Sequence, residues 1–88
     1  MFGVTVKTDS IESVKNINKI ASGCMGDVDA TTGRYSVDAK SIMGLLSLNL
    51  NKGVHLSTNS LEDFKLICER LKNEKIEILQ IDTDFASV

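Results

Sequence analysis

Phe2-Gly3-Val4-Thr5-Val6-Lys7-Thr8, followed at once by Asp9-Ser10-Ile11-Glu12, decides the fold class. Phe2, Val4 and Val6 share one side while Gly3, Thr5 and Lys7 share the other, the period of a half-buried strand. Asp9-Ser10-Ile11-Glu12 then reads as a helix start, with Asp9 as N-cap and Glu12 reaching back. Ile11, Val14, Ile17, Ile20 and Ala21 recur at helical spacing, with Lys15, Asn16, Asn18 and Lys19 opposite and Gly23 as the stop. A strand that passes directly into an amphipathic helix opens an α+β domain.

The pattern continues outward. Val28 and Ala30 alternate with Asp27 and Asp29, Gly33 supplies a turn, and Tyr35 and Val37 alternate with Ser36 and Asp38, which predicts a hairpin. Ser41 opens a second helix, from Ile42 to about Asn49, and Gly53 ends the connection. Val54 and Leu56 mark a fourth strand. Asn59-Ser60-Leu61-Glu62 is a further cap, and Leu61, Phe64, Ile67, Cys68 and Leu71 line a helix that runs to about Asn73. The order β-α-β-β-α-β-α predicts a four-stranded sheet with helices on one face, built around a split crossover unit.

Composition narrows the function classes. At 88 residues one small domain is expected. A net charge of −2 argues against nucleic acid as the main partner, because phosphate binding wants a basic face. No apolar run is long enough to span a membrane, and Met1–Ser10 lacks the basic-then-apolar pattern of a signal peptide, so a cytoplasmic location is expected. Without an export signal, Cys24 and Cys68 read as reduced thiols. Together with the single His55 they do not supply a zinc set, and no metal or cofactor is expected. Phosphate loops, nucleophile elbows and paired catalytic carboxylates are absent, and Asp27 and Asp29 read as a solvated strand face.

Lys40-Ser41-Ile42-Met43-Gly44-Leu45-Leu46-Ser47-Leu48 resembles the regulatory-serine segment of the histidine-containing phosphocarrier (HPr) family of bacterial sugar phosphotransferase systems. Ala21-Ser22, Asp27-Val28, Gly33 and Lys52-Gly53 sit at family spacing, and the element order is the family's order. The resemblance covers roughly residues 2–73 and implies an HPr-like open-faced β-sandwich over residues 1–73, with residues 74–88 as an acidic extension.

The family carries its phosphoryl group on a histidine at the start of the first helix. Counting back from Ser41, that position falls on Ser10, the family's arginine on Glu12 and its proline on Ser13. A phosphohistidine intermediate needs an imidazole nucleophile and a cation beside the phosphate. Glu12 puts a like charge there, and two such charges ~4 Å apart at an effective dielectric of ~20 repel by roughly 4 kcal/mol. Ser10 reads as a capping hydroxyl. His55, between inward-facing Val54 and Leu56, points to the opposite face, distant from the first helix. Phosphocarrier activity, and enzyme activity generally, is not expected.

Ser41 is the residue that remains. As a helix-start hydroxyl it is an N-cap, and the resemblance implies a regulatory phosphorylation site addressed by a bifunctional kinase/phosphorylase. Lys40 offers a charge partner. Ile42, Met43, Leu45, Leu46, Leu48 and Leu50 leave this helix almost no polar side. With Leu45 and Leu48 facing the sheet, Ile42, Met43 and Leu46 form an apolar patch beside Ser41, the kind of surface that marks protein contacts. The partners implied by resemblance are the Ser kinase and a transcriptional regulator of carbon metabolism. The function expected is a non-catalytic, regulatory, protein-binding module. Its rivals are an atypical phosphocarrier using His55 or another acceptor, and a fold reused as a structural or oligomerising module.

Residues 74–88 hold four acids and one base. Three readings stay open for them: a fifth strand at a sheet edge, pairing with a second copy in a homodimer, or continuation of the third helix. Leu66, off its helix's apolar stripe, is a candidate receiver for Ile81 or Phe85.

Overall fold

Alternation in the first strand puts Val4 and Val6 on a dry face, and they are fully buried in the computed structural model, which describes residues 1–49 and 53–83. The elements are β1 (Phe2–Val6), α1 (Ile11–Ser22), β2 (Asp29–Thr32), β3 (Tyr35–Asp38), α2 (Ile42–Leu46), β4 (Val54–Thr58), α3 (Leu61–Asn73) and β5 (Ile78–Thr83). The fold is α+β, with one five-stranded sheet in the order β3-β2-β4-β1-β5.

Every strand pairing is antiparallel. It follows that β1 and β2 run parallel with β4 between them, β3 and β4 parallel with β2 between them, and β4 and β5 parallel with β1 between them. Each helix therefore carries the chain from one strand to the next but one. The third of these split crossovers is the one the four-stranded expectation omits. Without β5, β1 would present an open edge of unpaired backbone. With it, the pairs run from Phe2↔Thr83 to Val6↔Ile78, with a register shift between Thr5 and Val6. Of the three readings left open for the tail, the edge strand is the one found.

All three helices bury their stripes against the same sheet face. Val14, Ile17 and Ile20 of α1, Leu45 of α2, and Phe64, Ile67 and Leu71 of α3 join Val4, Val6, Ala30, Val54 and Leu56 in one core. The Phe2 and Phe64 rings stack at 5.5 Å between centroids. Ile11 and Leu61, in the first turns of α1 and α3, remain exposed although their spacing puts them in line with the stripes. Leu66 packs against the core on the α1 side and lines a groove with Asn16, Lys19 and Arg70. Ile81 remains exposed, and Phe85 lies outside the described residues.

Polar caps set the helix starts, with one correction. Ser10, not Asp9, caps α1, its Oγ accepting from the Ser13 N–H at 3.2 Å. Asp9 instead accepts from the Ser13 hydroxyl at 3.1 Å. α2 is a single turn that ends at Leu46 rather than near Asn49, because Ser47 closes it: its N–H reaches the carbonyls of Met43 and Gly44, and its hydroxyl donates to Gly44 O at 2.6 Å. Gly53 takes φ +85°, and a Cβ there would fall 2.6 Å from Val6 O, so only glycine enters β4 this way. No helix among the described residues is long and apolar enough to cross a membrane.

Candidate functional site

The chain between β3 and α2 is held at several points. Ala39 N–H donates to Val28 O at 2.8 Å, and Asn18 Nδ2 of α1 donates to Ala39 O at 3.2 Å. Asp38 turns the chain: its Oδ1 accepts from Lys40 N–H at 2.9 Å and its carbonyl from Ser41 N–H at 2.9 Å. This frame delivers Ser41 to the surface. The Ser41 side chain is exposed, and its Oγ accepts from the Gly44 N–H at 3.2 Å, as an N-cap does.

The expected partners of Ser41 sort themselves unequally. Lys40 does not stand beside the hydroxyl as a charge partner. Its Nζ donates to the carbonyl of Cys24, 3.0 Å away, in the loop after α1. Met43 is 75 % exposed and Leu46 48 %, whereas Ile42 is half-buried against the core. Leu45 and Leu48 are buried and Leu50 lies outside the described residues. The apolar patch beside Ser41 is thus Met43 and Leu46, with Ile42 as its floor.

The α1 entrance carries Asp9, Ser10, Glu12 and Ser13, with the two serine hydroxyls 3.2 Å apart and all four residues at or near the surface. Ser10 caps the helix, and no imidazole or guanidinium is among the four. His55 lies on the other face of the sheet, on β4 across from Thr5. Its ring sits over Gly3, with Nε2 3.7 Å from Asp82 Oδ2 on β5. That nitrogen is shut off from solvent and has no hydrogen-bond partner.

A second set of polar contacts was not legible as a site. Asp63, 4 % exposed in the first turn of α3, accepts from Met25 N–H at 3.1 Å through Oδ1 and from Gly26 N–H at 2.9 Å through Oδ2. The signal was present in the spacing: Asp63 lies in line with Ile67 and Leu71, the buried face of its helix. Cys24, next to this loop, is buried and Cys68 is half-buried, and both are free thiols. Burial pushes the Cys24 thiol above its ordinary value, with Asp63 adding to the push and Lys40 opposing it. Burial likewise raises Cys68, against a smaller pull from Lys72.

On the open face a cavity of about 350 Å³ lies among Thr5, Thr31, Arg34, Tyr35 and His55. Among the described residues no group of three or more His, Cys, Asp or Glu side chains could hold a metal ion. No protein-family model, curated protein or solved structure matches the chain.

Proposed function

We propose that the protein is a non-catalytic, cytoplasmic relative of the HPr phosphocarriers. In this reading it is a regulatory module of the sugar phosphotransferase system that binds protein partners through the surface around Ser41. The observation that carries the reading is an exposed hydroxyl on a rigid turn with exposed Met43 and Leu46 beside it. Two further features support it. The first seven elements follow the order that the Lys40–Leu48 resemblance implies. The α1 entrance offers serines and carboxylates where phosphohistidine chemistry would need an imidazole and a cation. Phosphorylation of Ser41 by a Ser kinase would add close to two negative charges beside an apolar patch, and so change which partner docks. The kinase and a transcriptional regulator are the partners the resemblance implies.

Two labelling reactions run side by side test the reading. With the general phosphotransferase enzyme and phosphoenolpyruvate, no acid-labile phosphate should form; labelling of His55 would establish the phosphocarrier alternative. With the Ser kinase and ATP, one acid-stable phosphate should form and vanish in Ser41→Ala. Losing the cap costs about 1 kcal/mol, so Ser41→Asn, which restores a capping oxygen, is the control for folding. A wild-type chain that takes up no phosphate from the kinase would shift the function to a structural module.

A further inference from the structure

The third helix leaves one flank uncovered. α1 packs against both α2 and α3, so α1 is the middle helix, and α3 is an outer one lying on β1 and β4. Leu66 and Arg70 turn toward α1, and helical spacing puts Lys65, Cys68 and Lys72 on the other flank, toward the β5 edge of the sheet. A groove of about 340 Å³ runs along that flank. Phe64 and half-buried Cys68 form its floor, and exposed Lys65, Glu69 and Lys72 its rim. No helix packs on β5 as α3 packs on β1. Ile81 is the register partner of buried Val4, and opposed residues share a face, so Ile81 stands on the helix side of β5, 56 % exposed. The flank of α3 and the helix side of β5 thus make an open apolar corner.

The chain leaves β5 beside this corner. Thr83 is the register partner of Phe2, and the Phe2 ring stacks on Phe64 at 5.5 Å, so β5 ends about one strand spacing from the residue that touches the groove floor. Asp84-Phe85-Ala86-Ser87-Val88 follow. An extended residue spans about 3.3 to 3.6 Å, so two or three residues carry a ring from Thr83 to the Phe64–Cys68 floor. The charges agree. The one ion-pair contact among the described residues joins His55 and Asp82, which leaves the Lys65 and Lys72 ammonium groups unpaired, with Glu69 as the single carboxylate on the rim. Residues 76–85 hold Glu77, Asp82 and Asp84 and no base. We propose that Phe85 docks into the α3 groove over Cys68, with Asp84 against Lys65, so that the segment after β5 folds back as a strap and closes the corner. Tethering favours this occupant over a free peptide of the same chemistry, because the ring is held at high effective concentration. Burial of the ring opposes the entropy of ordering the segment, and a surface ion pair adds little, so the strap opens readily.

The thiol on the groove floor reads the strap. The full chain is treated with a disulfide reagent under native conditions, and the labelled sites are separated by peptide mass, with Cys24, buried in the core, as the internal reference. Cys68 in Phe85→Ala should react roughly fivefold faster than in the wild type, or more, while the Cys24 rate stays unchanged. Phe85→Leu, which keeps an apolar side chain, should fall between the two. Asp84→Asn should give a smaller rise at Cys68. The Cys68 Hβ resonances should also shift in Phe85→Ala, as removal of a ring lying over them requires. A wild-type Cys68 rate in Phe85→Ala overturns the strap. An equal rise at Cys24 also overturns it, because general loosening would then account for both. A wild-type Cys68 rate that falls as protein concentration rises would make the segment of a second copy the occupant and overturn the intrachain assignment. These outcomes are independent of Ser41.

Discussion

The imidazole of His55 occupies the space that a side chain at Gly3 would fill: a Cβ built there falls 2.5 Å from both Cε1 and Nε2. The absence of a side chain at Gly3 thus lets the ring lie across toward Asp82 on β5. Gly3→Ala forces the ring off or bends the strand, with a cost of about 1 to 3 kcal/mol, typical of overpacking. Urea unfolding of Gly3→Ala, His55→Ala and the double variant checks this. The double variant should recover much of the loss. Simple additivity of the two single effects would show that the ring and the glycine do not interact.

Asp63 is a nearly buried carboxylate that holds two backbone N–H groups. Asp63→Ala leaves two backbone N–H groups of the Met25–Gly26 turn without their charged acceptor, and about 3 kcal/mol should be lost. The urea midpoint reads the loss. Amide exchange locates it, with the Met25 and Gly26 amides losing protection first. Uniform loss across the sheet, with these two amides no worse than the rest, would contradict the anchoring role.

The thiols set a pH dependence. Both folded-state values lie above the ordinary 9.0, chiefly through burial. The native state therefore holds these protons more tightly than the unfolded chain, which makes stability fall as pH rises. Their contribution is complete below about pH 9 and is lost as pH climbs through the raised native values. The urea midpoint should drop as pH rises beyond about 9, and less so in Cys24→Ser. Both thiols should react slowly with a disulfide reagent at pH 8 in the native state and rapidly in urea.

Much of this architecture can be read from hydropathy. The β1 alternation, the α1 stripe and the Gly33 hairpin are local patterns, and each appears where spacing puts it. What escaped was tertiary. Ile78-Leu79-Gln80-Ile81 has no clean period of two, because a register shift interrupts it beside Val6, so strand, helix continuation and second-copy pairing all fitted. Lys40 precedes Ser41 in sequence and was matched to it, yet a four-carbon stem reaches across to another loop. Ile42 was placed on the surface by a helix of two turns, and α2 has only one. Ser41, Met43 and Leu46 were legible because each depends on a single short segment. The hold of Asp63 on the Met25 and Gly26 N–H groups was not, because the partners lie 38 and 37 residues apart in sequence.

Phe2 and Thr83 face each other as register partners on adjacent strands. Their backbones are consequently separated by about one strand spacing, ~5 Å. A tie of a few residues between them would close the fold into a ring without bending the sheet. The solvent-exposed Gly33-Arg34 tip then becomes a natural place to reopen it. A circularly permuted chain of this design should fold to the same architecture, with β1 and β5 covalently joined neighbours.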